Sequence, residues 1–124
     1  MVKILLAGVG GFIGSALRYL VAGLVQNSSG SRFPFGTLAV NFAGCAAIGF
    51  LSQLAESRGL FTAETRILIF VGILGGFTTF SAFGNETINL WREGANALAA
   101  ANVAAQVSLC LVAVWVSRLL AVQI

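Results

Sequence analysis

Four long runs of apolar residues, at positions 4–25, 36–55, 67–88 and 97–120, account for most of the chain. Each is about the 20 residues that an α-helix needs to cross a hydrocarbon core roughly 30 Å thick. The polar joints between them, residues 26–35, 56–66 and 89–96, are short enough to close helical hairpins. The pattern predicts an all-α membrane protein with four transmembrane helices, residues 1–124 forming a single domain. It leaves no room for a soluble catalytic or nucleotide-binding module. Only Lys3 precedes the first run, which is longer than the apolar stretch of a secretory signal, so we expect that span to be retained.

Composition agrees with lipid as the solvent. The chain is 58% hydrophobic and 9% charged, against about 25% charged residues in a soluble domain. Its net charge of +3 comes without a basic patch interleaved with aromatics, which argues against nucleic acid as a partner. With four spans the two termini share a side, and Lys3, Arg58, Arg66 and Arg118 fall there, against Arg32 and Arg92 opposite. Basic residues favour the cytoplasmic side. A bias this weak has two readings: a fixed topology poorly marked by charge, or a chain that inserts both ways and pairs antiparallel. Four helices are too thin to shield a polar path from lipid, which favours an oligomer as the working unit.

The polar residues inside the spans carry the candidate chemistry. In the first span Gly10, Gly14 and Arg18 are four apart and share a helix face. The glycines suit close helix packing, and Arg18, followed by seven more span residues, points toward protein or a water-filled vestibule where its charge would attract anions. In the second span Thr37, Asn41 and Gly44 share a face, and the Asn41 amide offers two donors and an acceptor. Taken alone, that Asn would only glue helices together. The third span reads GILGGFTTFSAFGNE, with Gly72, Gly75 and Gly76 ahead of Thr78, Thr79 and Ser81, and we expect it to be broken mid-membrane. Unwound backbone at that depth survives only inside protein or along a cavity, where its carbonyls could hold a small cation. Phe80 and Phe83 share a face if the helix resumes, and the positive edges of their rings could stabilise a small desolvated anion. The fourth span carries a stripe at helical period: Asn102, Gln106, Cys110, Ala113 and Ser117. Ser108 falls off it and is expected to bond back to its own helix. Cys45 and Cys110, both mid-span, read as reduced thiols.

With no His, no acid dyad and no nucleophile beside a base, the chain is not expected to be an enzyme. GGFIGSALRY, GTLAVNFAG and GILGGFTTFSAF resemble the three signature stretches of the CrcB/Fluc fluoride channels, in order and spacing, over the whole chain. The resemblance implies a dual-topology antiparallel homodimer in a prokaryotic plasma membrane, needing no other protein partner. It implies two narrow pores through which cytoplasmic fluoride leaves passively, giving fluoride resistance. It also implies a structural sodium ion at the dimer centre, held by backbone carbonyls within residues 75–78, those of Gly75 and Thr78. Asn41 would face the pore as a donor, Phe80 and Phe83 would be its ring-edge pair, and Arg18 would mark the aqueous entrance. Thr37, Thr79, Ser81, Gln106 and Cys110 would continue the polar track, with Glu86 near a pore mouth. Two positions depart from the pattern: Ala82 stands where relatives often carry a hydroxyl, and Cys110 where some carry Ser.

A small multidrug transporter, also a four-span dual-topology dimer, would need an acid deep in a span. All four acids, Glu56, Glu64, Glu86 and Glu93, lie in joints or near a span end. A non-transporting assembly subunit would account for the glycines but not for the Arg, Asn and Phe pattern.

Overall fold

The computed structural model describes residues 1–124 and contains four helical passes long and apolar enough to cross a membrane. The first two passes are α1 (Val2–Ser29) and α2 (Phe35–Arg58). The third is composite: a short α3 (Ala63–Arg66), a π-helical segment Ile67–Leu74, a single turn α4 (Gly75–Phe77) and, after a break, α5 (Phe80–Arg92). The fourth is α6 (Asn96–Val122). Each helix outruns the apolar run that predicts it, because the polar flanks stay helical until a stop residue is reached. Gly30 and Gly59 end α1 and α2 in the left-handed conformation, at φ 56° and 61°, which glycine adopts without strain.

The passes pack as two parallel pairs. α1 runs alongside the third pass with almost no side chain between them: a Cβ built on Gly10 would lie 2.8 Å from the Gly72 Cα, and one on Gly76 would lie 2.6 Å from the Gly11 carbonyl oxygen. Gly14 likewise presses on the backbone of Ile73 and Phe77. This is the small-residue packing that lets membrane helices approach closely. α2 lies most extensively against α6, and this seam is polar at one end and tight at the other. Asn41 meets Gln106, and Gly49 meets Val114 and Ser117.

The third pass does part mid-membrane, but later than the glycines suggest. Gly75 and Gly76 stay helical, and the chain becomes extended at Thr78 (φ −88°, ψ 159°) and Thr79 (φ −154°, ψ 115°). Gly76 serves close packing against α1, whereas a Cβ on Gly75 would meet only the Phe70 carbonyl oxygen, at 3.6 Å. The chain parts at the threonines: Thr78 keeps its helical N–H bond to the Leu74 carbonyl at 3.0 Å, and Thr79 has a side-chain substitute for the helical bond lost beyond it. Thr78 Oγ1 donates to the Leu74 carbonyl at 3.0 Å, and Thr79 Oγ1 caps the restarted helix by accepting from the Ala82 N–H at 3.2 Å.

Only 20 of the 124 residues are buried, so one chain leaves most of its apolar surface outward. The buried set includes Thr37, Asn41, Asn102, Gln106 and Ser117, all on α2 or α6. At the loop end of that pair, Gln26 staples the α1–α2 joint. Its Nε2 donates to the carbonyls of Ser31 and Phe33, and its Oε1 accepts from the Gly36 N–H. Arg32 pairs with Glu93 at 2.7 Å, and Arg118 pairs with Glu56.

Candidate functional site

The break in the third pass is held open by one side chain. Asn41 Oδ1 accepts from the Thr79 N–H at 2.7 Å, and Asn41 Nδ2 donates to the Thr79 carbonyl at 3.0 Å and to Gln106 Oε1 at 3.1 Å. An extended residue thus has both of its backbone groups met by an amide from α2, as an unwound segment at membrane depth requires. The N–H that a continuous helix would give to the Gly75 carbonyl goes to Asn41 instead, so the Gly75 carbonyl is released. The Thr78 carbonyl, also off the ladder, accepts from Arg18 Nη1 at 3.1 Å.

Two cavities flank the break, and Thr79 lines both. The larger, of about 1020 Å³, is open and polar; Arg18, Thr37, Ser81, Glu86 and Arg32 stand on its wall. Arg18 lines this cavity and also bonds the Thr78 carbonyl at the break. Thr37 donates to Glu86 Oε1 at 2.6 Å, while Glu86 Oε2 is buried without a partner. Ser81 is exposed and its hydroxyl lies 3.2 Å from that of Thr79.

The smaller cavity, about 440 Å³, gathers Asn41, Gln106, Cys110, Phe80 and Phe83 with Gly75 and Thr78. Phe80 and Phe83 meet edge to face, centroids 5.2 Å apart and planes at 65°. Phe83 is buried at 8% exposure and Phe80 stands outward at 81%. The two Asn41 donors are both engaged. The unsatisfied donor in this cavity's wall is Gln106 Nε2, buried with no partner. A buried amide N–H without an acceptor costs about 1–3 kcal/mol, which makes this atom a ready host for an anion. It was visible in the sequence as a member of the α6 stripe, but its free state depends on Asn41 taking Oε1, which no spacing reveals. The Arg18 bond to the Thr78 carbonyl and the Asn102 donation to Thr87 Oγ1 at 2.9 Å were equally out of reach. Ser108 bonds back to the Ala104 carbonyl, as its off-stripe position suggests.

The order of these parts along the chain can be compared with known proteins. The family model described as "CrcB-like protein, Camphor Resistance (CrcB)" matches residues 5–118. The chain belongs to the CrcB family. Relatives align with nearly the whole of this CrcB-family chain. It is 44% identical over 124 residues to a protein of Geobacter sulfurreducens named fluoride-specific ion channel FluC, the match covering 100% of both chains. It is 46% identical over 116 residues to the protein of that name from Methylobacillus flagellatus, covering 93% of this chain and 91% of the other. An archaeal relative, fluoride-specific ion channel FluC 1 of Methanosarcina acetivorans, is 43% identical over 124 residues, 100% of this chain and 94% of its own. All the residues that build the two cavity walls fall inside the span matched by the CrcB model.

Proposed function

We propose that this CrcB-family chain is a fluoride channel, passing the anion from the open vestibule at Arg18 into the smaller cavity and along α6. The observation that carries the reading is the unpartnered Gln106 Nε2, buried in a wall shared with Phe80 and Phe83. A small desolvated anion needs N–H donors and positive ring edges in a space that water does not fill. The relatives' printed names support fluoride as that anion and a channel, not an enzyme, as the class of protein. Asn41 positions the break and holds Gln106, so it reaches an anion only by exchanging one of its present acceptors. Arg18 gathers anions at the mouth. Thr37, Thr79, Ser81 and Cys110 supply polar contacts between the mouth and α6, and Glu86, bonded to Thr37, sits at the vestibule end.

Flow is passive: weak acid that enters as HF ionises inside, and fluoride leaves down its gradient, giving resistance in the plasma membrane of a prokaryote. The working unit is an antiparallel homodimer with two pores. The large outward apolar surface and the 81% exposure of Phe80 in one chain support a second copy covering it. Sodium fits the donor set as a structural ion. The released Gly75 carbonyl and the Thr78 carbonyl are oxygen ligands of the kind unwound membrane segments offer to Na+, and the second lone pair of Thr78 remains beside the Arg18 bond. When bound, such an ion supplies fixed positive charge at the break.

The deciding experiment is ion efflux from liposomes containing the purified protein. Fluoride should leave while chloride release matches empty controls, and equal chloride flux would reject the assignment. Dual insertion is tested separately: a single cysteine near Ser29, in a background lacking Cys45 and Cys110, should react with an impermeant thiol reagent from both sides.

A further inference from the structure

α2 and α6 run parallel, and their facing residues keep one offset. Asn41 bonds Gln106, a partner 65 residues on. Two turns along, Gly49 faces Val114 so closely that a Cβ on the glycine would fall 2.9 Å from the Val114 Cα. Midway between these two contacts, at the same offset, stand Cys45 and Cys110. Both are free, both are half-buried, and both line the smaller cavity. The backbones nearly touch at Gly49 and are an amide pair apart at Asn41. The cysteines therefore stand one turn from a contact of backbones and one turn from a contact of side chains, and a disulfide between them needs a Cα–Cα distance of about 4.4–6.8 Å.

We propose that Cys45 and Cys110 form a reversible dithiol–disulfide site in the cavity wall, oxidised by a small membrane-permeant peroxide, and that the disulfide form conducts less fluoride. One cysteine, ionised to its thiolate, attacks the peroxide and the O–O bond breaks, giving a sulfenic acid and, with the proton the thiol gave up, one water or alcohol. The second thiol then displaces the sulfenic oxygen as water, forming the S–S bond. The sulfurs lose two electrons and two protons, which end in the reduced peroxide. Thiolate rather than thiol attacks peroxide, so the first step is the slow one. The second is intramolecular and fast, because both thiols stand in the wall of one cavity. The bond would clamp α2 to α6 one turn from the Asn41–Gln106 pair and remove the Cys110 S–H from the polar track. The flux consequence rests on the channel reading, whereas formation of the bond does not.

The test uses the full-length protein in vesicles, treated with hydrogen peroxide and read by intact mass, non-reducing gel and fluoride efflux. The mass of each chain should fall by two hydrogens without a cross-linked dimer on the gel. Efflux should drop about tenfold, since a narrow permeation path tolerates little distortion, and dithiothreitol should restore both. Cys45→Ser should show neither change relative to its own untreated sample, with Cys45→Ala as the substitute if the serine variant does not purify. Unchanged mass, or oxygen adducts on separate thiols, overturns the site. A disulfide that leaves efflux intact overturns the gating. Untreated protein that carries no fluoride instead removes the channel reading, and the mass still decides whether the bond forms.

Discussion

The two parallel helix pairs solve the same packing problem in opposite ways. Between α1 and the third pass, Gly10, Gly14, Gly72 and Gly76 bring backbone against backbone and leave almost nothing to rearrange. Between α2 and α6, the seam is filled by side chains that bond one another: Asn41 with Gln106 and, through α5, Thr37 with Glu86 and Asn102 with Thr87. Water cannot rescue an unmet polar group at this depth, so the second seam is costly wherever a partner is missing, and three buried atoms are missing one: Glu86 Oε2, Asn102 Oδ1 and Gln106 Nε2. The difference teaches where chemistry is located. The glycine seam fixes position, and the polar seam carries unspent hydrogen-bonding capacity.

The sharpest break of this contrast is Gly14→Ala. The added methyl meets the backbone of Ile73 and Phe77, which cannot step aside, so we expect a loss of about 3 kcal/mol or more, read as lost yield and a lower melting temperature. Gly23→Ala, where a Cβ meets nothing within 4 Å, should stay within about 0.5 kcal/mol. On the polar seam, Asn41→Leu removes the bonds to Thr79 and Gln106 together. It should abolish fluoride flux and cost about 2 kcal/mol, while the glycine seam keeps the chain folded enough to purify. Gln106→Glu separates the roles of one side chain, because it keeps the acceptor for Asn41 and replaces the free donor with negative charge. Flux should fall by about two orders of magnitude, as like-charge contacts cost several kcal/mol, and the melting temperature should fall as well, because the new carboxylate is buried without a partner.

Phe80→Ile should lower flux about tenfold, the size of one aromatic interaction, with little change in stability because the ring stands outward in the chain. Phe83→Ile, at a buried position, should lower flux and stability together. A core-filling role alone for both rings predicts normal flux per amount of folded protein. Thr79→Val removes the cap of α5 and should cost about 1 kcal/mol, read as a modestly lower melting temperature.

The four passes, the faces of α1 and α6 and the existence of a break follow from periodicity, because lipid forces every apolar run into a helix. The location of the break did not follow. Gly75 and Gly76 look like helix breakers, yet they remain helical, Gly76 pressed against Gly11 of α1, while the chain parts at Thr78 and Thr79 because Asn41, 38 residues before Thr79 in sequence, is there to receive the Thr79 backbone. The same limit applies to the site. Gln106 belongs to a visible stripe, but which of its two amide atoms is free depends on a neighbour from another helix. Gln26, whose three bonds shape the α1–α2 joint, carries no periodic signal at all.

The constant offset between α2 and α6 also governs which changes of length this fold can absorb. One residue inserted between Asn41 and Gly49 would turn everything beyond it by about 100°, sending Gly49 away from Val114 and replacing the tightest contact of the seam with a side chain that does not fit. An insertion in the joint of residues 59–62, outside any paired interval, leaves every partner where it was. Length variation among functional versions of this chain should therefore collect in the joints and be absent from the intervals 41–49 and 106–114. Scanning single-residue insertions for fluoride resistance would map the register directly.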